Sequence, residues 1–325
     1  MGKRRGVEEV LDGLAALRRI PVSPEGRAEI VAALRHKSNI VAAKAADVAR
    51  ELKLPDVCPA LQQAFARFLK GESADRGCVA TTAIARAALE LECQASDLFN
   101  AGIRHVQRES SGGPPQDMAA ELRGLCAMGL VMVRDREALE KATDLLADPE
   151  STARIGAVRA LSYAGREDAA LVLRLKALMG DTEPDVLAES FAALFHLAPE
   201  KSLEFVARFL DSSHETTCQD AALAIGASRQ AGAFAILRDR YVEAGDPSIR
   251  PSLLVAIATV RSPEAVQFLL ERVETEKPGL AAEAIRALRI FRGEESVRAK
   301  VVEIADRRGD EVLRRALAEM AKAYT

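Results

Sequence analysis

Ala157-Val158-Arg159-Ala160-Leu161, Ser190-Phe191-Ala192-Ala193-Leu194 and Ala221-Ala222-Leu223-Ala224-Ile225 are three copies of one apolar pattern. Leu253-Leu254-Val255-Ala256-Ile257, Ala284-Ile285-Arg286-Ala287-Leu288 and Ala316-Leu317-Ala318-Glu319-Met320 continue it. The last apolar position of each copy falls at 161, 194, 225, 257, 288 and 320. Successive copies therefore stand about 32 residues apart, and a fixed step of that size marks an array of repeated supersecondary units. Each copy is preceded by a second apolar helical stretch, at 138–146, 169–179, 203–210, 234–242, 265–273 and 297–305. Between the two lie Ala147-Asp148-Pro149-Glu150, Gly180-Asp181-Thr182-Glu183-Pro184 and Gly245-Asp246-Pro247-Ser248. Asp or Ser followed by Pro or an acid is a helix start: a capping oxygen, a residue without an N–H, then negative charge at the positive end of the dipole.

The rest of the chain follows the same plan with longer units. Stretches 42–52, 81–91 and 119–131 read as second helices, with partners at 26–35, 59–69 and 96–107. Their spacing is about 40 residues, still within the range of helical repeats. Residues 7–20 read as an amphipathic cap over the open end. The expected organisation is a single array over 1–325, with longer, irregular pairs over 1–136 and six regular repeats over 137–325. Composition agrees: among 325 residues aromatics are 4 %, Trp is absent, and the abundant Ala and Leu are strong helix formers. The fold class is all-α. One helix pair cannot bury its apolar face alone, so neighbours must stack and share a core.

Helix A, an Asp-Pro turn, then a helix B with small residues on its buried side resembles the HEAT repeat, and the short period is similar to the HEAT-like repeats of phycobilin lyases. The ankyrin Thr-Pro-Leu-His and the tetratricopeptide Trp and Leu-Gly signals are missing. The resemblance implies a right-handed α-solenoid whose B helices line its concave side. Glu319 replaces the small residue of the column Ala160, Ala193, Ala224, Ala256 and Ala287, as a capping repeat would.

At 100° per residue, the B-helix face opposite the buried one carries Arg159 and Tyr163, then Glu189 and His196, then Asp220 and Leu223, then Val255, then Glu283, Arg286 and Ile290. Two readings fit: a groove for a helical or extended protein segment with some positive charge, or an ordinary solvated face. A second candidate is the longest break between helices, 104–117, whose Gly112-Gly113-Pro114-Pro115 forbids helix. Arg104, His105 and Arg108 precede it, where they either offset a helix dipole on its last turns or belong to a binding loop.

No catalytic or metal-binding motif is present: H-E-x-x-H, G-x-S-x-G and the Gly-rich phosphate loops are all missing, and no two of the four histidines are four residues apart. Two enzyme classes use related repeats: phycobilin lyases, which hold a tetrapyrrole, and DNA glycosylases, which cradle a duplex. Only Tyr163 among the groove positions is aromatic, and the charge is −3, with 21 basic against 20 acidic residues up to Ala147 and 24 against 28 after it. A duplex binder normally shows a basic footprint. The expectation is therefore a non-catalytic protein-interaction scaffold with no cofactor and no metal. The basic N-terminus is followed at once by Glu8 and Glu9 and no run is apolar enough to span a bilayer, so a cytoplasmic protein is expected. Cys58, Cys78, Cys93, Cys126 and Cys218, odd in number and without C-x-x-C, read as small core residues in a reducing compartment.

Overall fold

The computed structural model describes residues 6–19, 23–71, 75–110, 112–244 and 247–322. Ile20 of the expected cap, Ser111 of the long break and Gly245-Asp246 of the third quoted turn lie outside the described residues. Contacts divide the chain into two compact units, 1–172 and 173–325. Both are all-α, built from antiparallel helix pairs stacked in sequence order, and 19 α-helices occur among the described residues.

The first unit contains α1 (Val7–Ala16), α2 (Pro24–Leu34), α3 (Asn39–Glu51), α4 (Cys58–Lys70), α5 (Val79–Glu90), α6 (Ser96–Gly102), α7 (Ala120–Met132), α8 (Ala138–Leu145) and α9 (Ser151–Tyr163). Helix α10 (Glu167–Met179) holds the division between the units. The B helices α3, α5, α7 and α9 pack in file, and the A helices α2, α4 and α6 pack in a second row beside them. Small residues allow the close approach. Ala42, Ala45, Ala46 and Ala49 of α3 and Ala80, Ala85, Ala87 and Ala88 of α5 are fully buried. Gly124 and Gly156 meet backbone to backbone: a Cβ on Gly124 would lie 3.0 Å from the Gly156 Cα. Ser23 caps α2, accepting from the Gly26 N–H at 3.2 Å ahead of Pro24, as the start signals require.

Two expectations are corrected in this unit. The helix expected over 96–107 ends at Gly102, and the chain then forms a short hairpin, β1 (Arg108–Glu109) paired antiparallel with β2 (Gln116–Asp117). His105 and Arg108 are therefore not on a helix end. The cause is local: Gln107 is captured by its neighbours, its side chain donating to the Asp75 carbonyl at 2.8 Å and its own carbonyl accepting from the Met118 N–H at 2.8 Å. Secondly, Cys58 and Cys93 form a disulfide with Cα atoms 5.6 Å apart, so they are not free core thiols. One residue opens α4 and the other follows α5, which places them at the same level of adjacent helices. Cys78, Cys126 and Cys218 are free and buried.

The second unit contains α11 (Pro184–Leu197), α12 (Pro199–Ala207), α13 (Glu215–Ser228), α14 (Ala233–Glu243), α15 (Arg250–Val260), α16 (Pro263–Thr275), α17 (Pro278–Leu288), α18 (Glu295–Arg308) and α19 (Glu311–Lys322). The B helices α11, α13, α15, α17 and α19 pack in file. Pro opens α11, α12, α16 and α17, and Ser262 caps α16 through the Ala265 N–H at 3.2 Å. Gly226 of α13 sits so near α15 that an added Cβ would collide with the Ala256 carbonyl oxygen. Aromatic rings pack between and along the rows: Phe209, 5.5 Å from Phe205, lies 4.9 Å from Phe191 of α11, and Tyr241 of α14 meets Phe268 of α16 edge-on at 5.5 Å.

Candidate functional site

The B-helix positions opposite the buried face are exposed or half-buried in both units. In the first unit, α9 exposes Arg159 and Tyr163, the latter 58 % accessible. In the second unit the columns run over four helices. Asp185, Ala192 and His196 are exposed on α11, with Glu189 half-buried. Leu223 on α13, Val255 on α15 and Ile290, just past α17, are 39 %, 42 % and 38 % accessible. Leu223 and Val255 occupy one repeat position on α13 and α15, where α17 carries Arg286, and Ile290 stands one turn further along the chain, beyond α17.

The electrostatics of the acidic column are uneven. Glu283 is ion-paired with Arg286 at 2.6 Å, and Arg286 also reaches Glu319 at 2.9 Å. That end of the face is neutralised by its own chain. Asp220 differs. It is partly buried on α13, and burial together with the nearby Asp185 carboxylate raises it above the ordinary aspartate range. Asp185 and Asp220 are thus the two acids of this face that repel each other.

The 104–117 segment is better anchored than its composition suggests. Asp75 is buried and caps α5, accepting from the N–H groups of Ala80 and Thr81 at 2.8 Å each and from the Thr81 hydroxyl at 2.7 Å. Glu109 accepts from the Gly77 N–H at 2.7 Å and from Gln107 at 2.6 Å, which holds its carboxyl below the usual range. Arg123 of α7, 4 % exposed, donates to Asp117 at 2.7 Å, to both oxygens of Asp148 at 2.8 and 2.9 Å, and to the His105 carbonyl at 2.9 Å. Burial alone would push Asp117 up. The Ala119 and Gln107 N–H groups and the Arg123 guanidinium overcome that and hold it below its ordinary value. His105 meets Gln107 at 3.2 Å, whereas Arg104 and Arg108 point to solvent.

Sequence reasoning missed a feature on the A-helix side. Arg67 of α4 donates to the carbonyls of Leu34, the last residue of α2, and of His36 just past it, at 2.8 and 3.1 Å. Arg240 of α14 reaches the Leu210 carbonyl at 3.0 Å, and Arg308 of α18 reaches those of Val273 and Glu276 at 2.6 and 2.8 Å. In each case an A helix supplies the cation that satisfies the open carbonyls of the A helix before it. An open groove of about 780 Å³ also lies on this side, among α14, α16 and α18, lined by Phe234, Phe268, Arg238 and Lys300. No group of three His, Cys, Asp or Glu residues among the described residues is placed to hold a metal ion, and none of their helices is long and apolar enough to cross a membrane.

The HEAT repeats family matches residues 240–322, which includes α15 to α19. The same helix pairing runs through both units. The chain is a HEAT-like repeat protein. Among curated proteins, no sequence matches it. Solved structures similar to this HEAT-like chain include an engineered protein, 17 % identical, with 99 % of this chain and 95 % of that one covered and a TM-score of 0.37. A second is the complex of CpcE and CpcF of phycocyanin lyase from Nostoc, at 14 % identity, 98 % coverage of both chains and a TM-score of 0.35. A third is human deoxyhypusine hydroxylase in complex with glycerol, at 15 % identity, 89 % and 98 % coverage and a TM-score of 0.32.

Proposed function

We propose that this HEAT-like protein is a non-catalytic interaction scaffold, and that the B-helix face of its second unit receives a protein segment carrying both apolar and positively charged side chains. The observation that carries this reading is the pair Leu223 and Val255, at one repeat position of α13 and α15 and each about two-fifths exposed, on a B-helix row that also carries Asp185, Asp220 and the exposed Ile290. Large apolar side chains set among polar ones on consecutive helices form the kind of centre that interfaces bury. HEAT repeats generally act in protein interactions, and a row of B helices with no backbone donors to offer suits a partner recognised through side chains.

The test compares wild-type protein with a Leu223→Glu/Val255→Glu variant and an Asp185→Lys/Asp220→Lys variant as baits in lysate of the source cell, with bound proteins identified by mass spectrometry. The expected result is a partner retained by wild type and lost by both variants, each of which keeps its helical circular dichroism. A partner held equally by all three baits overturns the site. Purified protein that is coloured, or that contains stoichiometric metal, overturns the non-catalytic reading in favour of a bound cofactor.

A further inference from the structure

The B helices of the first unit carry a second row that the charge totals conceal. Aligning the buried positions of α3, α5 and α7 gives one constant offset: Ala46, Ala85 and Gly124 correspond, as do Val48, Ala87 and Cys126. At the equivalent position near each helix start stand Ile40, Val79 and Met118, which are 57 %, 43 % and 39 % exposed. Three large apolar side chains at one repeat position, all open, are not scattered surface residues. Each has a cation next to it. Lys37 and Arg76 precede Ile40 and Val79 by three residues and are exposed, while exposed Arg108 pairs in the hairpin with Asp117, the neighbour of Met118.

The row is held rigid from beneath. Asn39 donates to the Asp75 carboxylate at 3.3 Å and to the Arg76 carbonyl at 3.2 Å. Gln107 ties the hairpin to the Asp75 carbonyl, and the Met118 N–H closes onto Gln107. Among the described residues, three acids of this region are engaged within the chain: Asp75 caps α5, Asp117 faces Arg123, and Glu109 binds the Gly77 N–H. Arg76, 79 % exposed, retains only a 3.7 Å approach to Glu109. The surface that results is apolar and positive.

We propose that Ile40, Val79 and Met118, with Lys37, Arg76 and Arg108, form a docking row for an acidic amphipathic helix of a partner protein. Charge complementarity requires the occupant to be acidic. The helical form follows from the surface itself: B helices have spent their backbone groups internally and the hairpin strands are two residues long, so an extended segment would find almost no ladder to join, whereas a helix brings its own hydrogen bonds. Packed helices sit about 8 to 10 Å apart, which matches roughly five to seven residues of helical rise, so apolar side chains about two turns apart would meet the three in turn. A bilayer is a poor match because these side chains are only half accessible and cannot insert. Single-stranded nucleic acid is a poor match because the row offers no aromatic face for bases to stack on.

The test uses the full chain and fluorescence anisotropy with three labelled 21-residue peptides. One carries leucines in a single helical stripe among glutamates, the second has the same residues scrambled off the stripe, and the third replaces its glutamates by lysines. The expected result is binding of the striped acidic peptide at least about tenfold tighter than the other two, a difference well outside ordinary surface adhesion. Ile40→Ser/Val79→Ser/Met118→Ser weakens it by at least about tenfold while the melting temperature is retained. Lys37→Glu/Arg76→Glu/Arg108→Glu, confined to exposed side chains, weakens it and reverses the preference toward the lysine peptide. No binding of the striped peptide, equal binding of the scrambled one, or indifference to both variants overturns the proposal. So does row-dependent binding of a 20-nucleotide oligothymidine or of phosphatidylserine/phosphatidylcholine vesicles in place of the peptide. Because these positions lie in the first unit, failure here leaves the second-unit reading untouched, and the reverse also holds.

Discussion

The two units solve the same problem, holding a B helix in register against the next, by different means. The first unit uses the longer repeat step and fixes its turns with directional polar contacts: Asp75 capping α5, Gln107 pinning the hairpin, and Arg123 shared between Asp117 and Asp148. It also carries the Cys58–Cys93 bond. Small residues bring B helices together in both units, Gly124 against Gly156 and Gly226 against α15, but the second unit, with the shorter step, has short turns and adds packed rings instead of buried polar contacts. A long turn contains more backbone to satisfy, so it needs buried polar partners, whereas a short Pro-started turn leaves little unpaired. Regularity in the sequence is therefore not where the strongest single interactions lie.

That contrast can be broken in four places. The largest effect is expected from Arg123→Met. It leaves Asp117 and Asp148 buried without their cation and should lower stability by about 3 to 5 kcal/mol. Hydrogen exchange should locate the loss between residues 105 and 154, and an unfolding midpoint shifted equally in both units would remove the distinction. Next, reducing the disulfide, or Cys58→Ser/Cys93→Ser, removes a cross-link between positions separated by 35 in the sequence. The first unit should lose about 3 kcal/mol in urea titration while second-unit amides keep their protection. In the second unit Gly226→Ala forces α13 from α15 and should cost about 1 to 3 kcal/mol. A neutral outcome there would mean that packing does not set its register.

The smallest effect is one of pH. Asp117 is held below its ordinary value, and Asp135 likewise, by a hydrogen bond from Asn100 and by Lys141. Stability from such groups is present above the unfolded carboxyl value, about 3.9, and is lost as pH falls through the lower folded value. Asp220 is raised, so its sign is opposite: it opposes folding at neutral pH and is relieved as pH falls through its folded value. Asp220→Asn should thus stabilise the second unit at neutral pH by about 0.5 kcal/mol, a gain that vanishes in acid, as thermal melts across pH would show. Destabilisation by Asp220→Asn at neutral pH would refute the assigned repulsion.

The helices of the second unit were legible because a B helix repeats its buried face at one nearly constant step, and the same 100° arithmetic located the exposed positions Tyr163, His196, Leu223 and Val255. The expected single face of partner-binding residues is divided, with Arg159 and Tyr163 in one unit and the others in the next. The hairpin was not legible, since strands of two residues leave no alternating pattern and Gly112-Gly113-Pro114-Pro115 reports only the turn between them. Cys58 and Cys93 gave one usable signal, a separation close to one repeat step, which C-x-x-C spacing rules do not test. The row Ile40, Val79 and Met118 was visible in principle as one constant offset, but only the aligned burial of α3, α5 and α7 makes that offset sharp. Neutralisation of Glu283 by Arg286, which is shared with Glu319, depends on rotamers, and no periodicity carries it.

The arginines that close the preceding A helix bear on how such a chain grows. Arg67, Arg240 and Arg308 each belong to one repeat and serve the one before it. A repeat built this way carries a donor facing backward and a bare set of carbonyls facing forward, like a link with a hook and an eye. A duplicated copy of such a repeat, inserted after its parent, finds the parent's carbonyls to close. Head-to-tail duplication of such a repeat therefore needs no new residue at the joint where the copy follows its parent, because the copy brings the donor that the parent's carbonyls accept.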